Sequence, residues 1–78
     1  MNKDNKEKKE KIVYYFEKEP TLKKIQEIVN GYITIIYLSN NRTMYVNEDG
    51  ILLKLPLNKE ASKLAGFEVY GKAIVIKN

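Results

Sequence analysis

Residues 43–58 read Thr-Met-Tyr-Val-Asn-Glu-Asp-Gly-Ile-Leu-Leu-Lys-Leu-Pro-Leu-Asn, and the fold is decided here. Thr43 to Val46 is β-branched and aromatic, which suits a strand. Asn47-Glu48-Asp49-Gly50 follows as a turn, since Asp-Gly between apolar runs is a strong turn signal. Ile51 to Leu55 then reads as an irregular third strand whose ladder Pro56 must stop, because proline has no N–H to donate. Asn58 caps a short helix running to about Ala65, with Ala61, Leu64 and Ala65 on its apolar side and Gly66 closing it.

Upstream, Ser39-Asn40-Asn41-Arg42 is a turn, so residues 43–46 return as the second arm of a hairpin. The first arm, residues 32–38, is apolar on both faces: Tyr32, Thr34, Ile36 and Leu38 on one, Ile33, Ile35 and Tyr37 on the other. Such a strand is expected at the centre of a sheet, or with helices on one face and a partner on the other. Before it, Leu22, Ile25, Ile28 and Val29 recur at helical spacing behind Pro20 and the N-cap candidate Thr21. Lys24 at the third helical position leaves no capping box. Asn30-Gly31 ends that helix, glycine being expected to take the left-handed position. Ile12 to Phe16 reads as a first strand. Residues 67–70 and 72–77 read as a last one, broken at Gly71. The order β-α-β-β-β-α-β gives an α+β domain. Its antiparallel or mixed sheet of about 4–5 strands is expected to carry two short helices on one face.

Residues 1–11 hold five lysines against Asp4, Glu7 and Glu10 and no interior apolar residue. A segment like this cannot offset its ordering entropy, so it is expected to be a disordered tail, with residues 12–78 the single domain. At 78 residues the chain buries only roughly 60% of its unfolded surface, which leaves a marginal core. Cysteine and histidine are both absent, removing disulfides and the usual Cys/His zinc sites. Self-association is the remaining reinforcement, so a homo-oligomer, with a dimer favoured, is expected. No apolar run reaches the ~18 residues of a membrane span or the core of a signal peptide. A cytoplasmic protein without a membrane partner is the expectation, the cytoplasm being the host's if the chain is viral. The net charge of +4 is divided equally between the tail and the remaining, mixed-charge residues. It makes neither a polycationic stripe nor an acidic mimic of DNA.

Four stretches carry a resemblance that covers about residues 12–77. They are Thr21-Leu-Lys-Lys-Ile-Gln-Glu-Ile-Val-Asn-Gly-Tyr-Ile33, then Val46-Asn-Glu-Asp-Gly50 with Leu55-Pro-Leu-Asn58, and Gly71-Lys-Ala-Ile-Val-Ile76. In order and spacing they resemble the phage and large-DNA-virus family called domain of unknown function 3846. The resemblance implies a virus or mobile-element context and supplies no activity.

Candidate chemistry is sparse. Without His or Cys no Ser-His-Asp or Cys-His triad can form, and Ser39 and Ser62 have turn and helix-surface explanations. Glu48 and Asp49 are adjacent turn residues, which diverge, whereas paired catalytic carboxylates must converge. Gly66-Phe-Glu-Val-Tyr-Gly-Lys-Ala73 imitates a phosphate-binding loop. However, Ala73 lacks the magnesium-binding hydroxyl, and a strand follows where a helix is needed. Neither a metal nor a cofactor is expected.

Asn47 is accounted for by an Asx turn and Asn58 by its cap. A sharper alternative lets both, with Arg42 and Tyr45, line one end of the sheet as a pocket for an anion or nucleotide. The function expected is that of a non-enzymatic accessory binding protein of phage or viral type, in a counter-defence setting. It would bind a host protein or sequester a nucleotide-like ligand, by analogy with other compact viral proteins. The alternative is nucleic-acid binding through the tail and a tyrosine-bearing sheet face, with Tyr14 and Tyr37 stacking bases and Lys54 and Lys72 supplying charge.

Overall fold

The computed structural model describes residues 11–77. The lysine-rich tail expected over 1–11 lies, but for Lys11, outside them. The elements are β1 (Val13–Phe16), α1 (Leu22–Val29), β2 (Ile33–Leu38), β3 (Arg42–Asn47), α2 (Lys59–Ala65) and β4 (Ala73–Lys77). The strands form one mixed sheet in the order β1-β4-β3-β2, parallel between β1 and β4 and antiparallel elsewhere. The α+β class, the two helices and the hairpin of β2 and β3 agree with the sequence. In the hairpin loop Asn40 and Asn41 both take left-handed φ (62° and 57°), which asparagine tolerates better than most residues.

The placement of the helices differs from expectation: they lie on opposite faces of the sheet. Ile25 and Val29 of α1 pack on Tyr45, Ile74 and Ile76. Ala61 of α2, with Leu64 and Ala65, packs on Met44, Val46, Ala73, Val75 and Val13. Consecutive residues of β3 and β4 therefore belong to different cores, as the two-residue period of a strand requires. The sequence reason is β4, whose Ala73, Ile74, Val75 and Ile76 are all buried. An unbroken apolar run marks a strand covered on both sides. Residues 32–38 carry a similar run, yet β2 is an edge strand, so the first of its two expected placements, the centre of the sheet, does not hold. Its outward Tyr37 is 80% exposed.

Residues 51–55 are not a strand. Leu53 N–H bonds the Asp49 carbonyl at 2.8 Å, Leu55 N–H the Gly50 carbonyl at 2.9 Å, and Lys54 sits at φ 58°. Ile51-Leu52-Leu53 has no alternation to pair on one sheet face, so the backbone satisfies itself in local turns. Ile51 and Leu52 are left largely in solvent. Residues 67–70 also stay outside the sheet, apart from a lone bridge between Tyr70 and Leu57.

The helix ends follow cap chemistry. Thr21 Oγ1 accepts from Lys24 N–H at 3.2 Å, and Asn58 Oδ1 from Ala61 N–H at 3.0 Å. Gly66 closes α2 at φ 86°. At the end of α1 the left-handed residue is Asn30 (φ 64°), not the expected Gly31.

Candidate binding groove

The four residues expected to line one pocket are not brought together. Arg42 begins β3, where its Nε donates to the Ser39 carbonyl at 3.3 Å, while Asn47 ends the same strand. Five residue steps at ~3.4 Å separate them by roughly 17 Å. Asn47 shows 5% exposure and Asn58 2%, and both amides are engaged. Asn47 Nδ2 donates to the carbonyls of Val29 (3.0 Å) and Asn30 (3.2 Å), and its Oδ1 accepts from Asp49 N–H at 2.7 Å. Asn58 Nδ2 donates to the carbonyls of Ile12 (2.9 Å) and Gly71 (2.8 Å), beside its capping bond. Tyr45 lies in the core under α1, its hydroxyl held above the usual tyrosine range by burial and by its hydrogen bond to Glu19.

Tyr14 and Tyr37 are on the two opposite edge strands, with α1 packed on the sheet between them. Tyr14 instead carries the Lys11 ammonium 5.1 Å above its ring. Lys54 is on the 51–55 turn, and Lys72 precedes β4. The apparent phosphate loop dissolves into three unrelated pieces. Gly66 ends α2, Gly71 bends the chain at φ 94°, and Lys72 leads into a strand.

A site that the sequence did not announce lies on the α2 side of the sheet. A groove of about 470 Å³ runs between β2, the turn after β3 and residues 67–70. Half-buried Ile36 and buried Val46 form its floor, and exposed Ile51, Leu52 and Phe67 its walls. Glu48, Asp49 and Glu68 also line it, and among the described residues no lysine or arginine does. Glu68 is oriented by the Tyr70 hydroxyl, which donates to its carboxylate at 2.8 Å. That bond raises the Tyr70 pKa. Among the described residues no cluster of acidic side chains converges as cation ligands would, so the carboxylates are a spread rim.

The walls are locked by Gly50: a Cβ there would stand 2.6 Å from the Tyr70 carbonyl oxygen. Glycine is required by close approach, since Gly50 is not among the left-handed residues. The signal for this site was Ile51-Leu52-Leu53, an apolar run without strand period, and reading it as a strand concealed it. A second cavity of about 320 Å³ lies between the end of α1 and residues 55–58, with Glu27 and Lys72 its charged lining among the described residues.

The model of the family described as domain of unknown function (DUF3846) matches residues 5–78, so the chain belongs to that family. No curated protein and no solved structure matches it.

Proposed function

We propose that this chain is a non-enzymatic binding module whose groove takes a basic, amphipathic segment of a partner protein. The observation that carries this reading is the groove's sign. In a chain of net charge +4, it combines exposed Ile51, Leu52 and Phe67 with three carboxylates and, among the described residues, no cation. Apolar side chains left in solvent around a concave floor are what a partner's side chains remove from water. The carboxylates select for lysine and arginine at its flanks and repel like-charged competitors. They also weigh against a phosphate-bearing ligand at this place, because phosphate oxygens would face carboxylate oxygens. In the phage or viral setting that the resemblance implies, the partner is a host protein.

Peptide display against the wild-type chain, counter-selected on a Leu52→Asp/Phe67→Asp variant, tests the reading. Sequences with apolar residues flanked by Lys or Arg are expected. A selection returning only acidic sequences, or only sequences that bind the variant equally, would count against it.

A further inference from the structure

We infer that the free edge of β2 pairs with the β2 of a second copy, antiparallel about a two-fold axis at Ile35, making one continuous sheet from two chains. The phase of the ladder is fixed by Glu48 N–H, which bonds the Tyr32 carbonyl at 2.9 Å. Backbone groups alternate sides along an antiparallel strand, so Tyr32, Thr34, Ile36 and Leu38 turn theirs toward β3. Ile33, Ile35 and Tyr37 turn theirs outward, and no described residue pairs with them.

These outward residues are symmetric about Ile35. A two-fold axis there sets Ile35 against Ile35 and each Ile33 against Tyr37 of the other copy, and every outward N–H and C=O is then satisfied. The same register matches side chains on both faces. Ile33 meets Tyr37 on the α1 side, and Thr34 meets Ile36 on the α2 side. No charge falls anywhere from Tyr32 to Leu38, so nothing in the strand opposes its own copy.

The two edges of the sheet contrast. Natural edges are protected by shortness, charge, proline or a bulge. β1 is four residues long, with Lys11 before it and Glu17, Lys18 and Glu19 after it. β2 is six residues long, uncharged, free of proline and in unbroken register with β3, and Tyr32, Ile35 and Tyr37 are exposed along it. A strand carrying none of these devices, whose pattern is complementary to itself, is fitted to a second copy.

Thr34 and Ile36 also line the groove, so pairing brings two grooves together at the axis. The inference itself does not depend on what the groove binds.

Sedimentation of the full chain over a concentration series is expected to show a reversible monomer–dimer equilibrium. Ile35→Lys should abolish it while leaving the folded far-ultraviolet spectrum, since two lysines would face each other at the axis. The chain has no cysteine, which permits a register test. A Thr34→Cys protein mixed with an Ile36→Cys protein and mildly oxidised should give the mixed disulfide in excess of either homodimer. A monomer at every concentration would overturn the inference. So would a dimer broken by Leu52→Asp but not by Ile35→Lys, or crosslinking that favours either homodimer.

Discussion

Asn47 on β3 holds Val29 at the end of α1 through a side-chain hydrogen bond of 3.0 Å, and extends the same Nδ2 to Asn30 at 3.2 Å. The last carbonyls of a helix have no partner within it, and these two are supplied from the sheet. The neighbouring Gly31 leaves room for this, since a Cβ there would lie 2.9 Å from Asn47 Nδ2. Asn47→Ala removes donor and acceptor together at a buried position. Leaving buried carbonyls unpaired costs about 1–3 kcal/mol. Urea denaturation should show a lower midpoint, and exchange of the α1 amides should accelerate more than that of β4.

Asn58 does three things at once. It caps α2 through Oδ1 and donates to the carbonyls of Ile12 and Gly71, joining the starts of β1 and β4 to the helix. Aspartate caps a helix about as well as asparagine but has no N–H to donate. Asn58→Asp therefore isolates the donor half, and a loss of about 2 kcal/mol is expected from two orphaned carbonyls. Asn58→Ser, a good cap without the donors' reach, should lose a similar amount. If either variant kept the wild-type urea midpoint, the donor bonds would be of no consequence.

Much of the fold was legible because local chemistry and tertiary structure agree. Thr21, Asn58 and Gly66 read as helix ends and are helix ends, and residues 43–46 read as a hairpin arm and lie within the strand Arg42–Asn47 that pairs as one. The failures share one cause. A two-faced apolar run signals burial on both sides, but two segments carried such a run, β2 and β4. Only the tertiary order of strands assigns one of them to the interior. Ile51-Leu52-Leu53 misled in the same way, because apolarity was read as pairing where it marks an exposed wall. The candidate asparagines were visible for their polarity, and that polarity is consumed by backbone carbonyls.

Gly50→Ala tests whether the groove walls are locked. Its Cβ would meet the Tyr70 carbonyl oxygen at 2.6 Å, a backbone atom that cannot rotate away. Relief requires the turn and residues 67–70 to separate, at a cost of roughly 1–3 kcal/mol. Groove-dependent peptide binding should fall by more than stability alone accounts for. Gly66→Ala is the control: it has open space around it, so only the strain of φ 86° is felt and the groove is untouched.

Alkaline pH should destabilise the protein through Tyr45. Burial first, and then its hydrogen bond to Glu19, raise the Tyr45 pKa above 10.0, and Glu60 does the same for the exposed Tyr15 through a hydrogen bond. A folded-state pKa above the unfolded one means that the native state holds the proton more tightly. The associated stability is complete below about pH 10 and is lost as pH rises through the folded value. Tyr45→Phe keeps the ring and removes the proton. Its urea midpoint should fall less between about pH 9 and pH 11 than that of the wild type, lysine titration being common to both. With no cysteine in the chain, thiolate chemistry does not complicate the comparison.

The acidic rim gives the last prediction, because rim charges act mainly on encounter and its salt dependence. Glu48 and Glu68 are exposed and both line the groove, one from the turn after β3 and one from residues 67–70. A Glu48→Lys/Glu68→Lys variant changes the local charge by four units and leaves Ile51, Leu52 and Phe67 in place. Association with a selected basic peptide should slow by at least an order of magnitude at low salt, and the difference should shrink as salt approaches about 1 M, where the Debye length is ~3 Å. Phe67→Ala removes an anchor and should act on dissociation instead, with little change in salt dependence. Stopped-flow measurement of both rates separates the two effects. An association rate indifferent to the double reversal would mean that the carboxylates take no part in recognition.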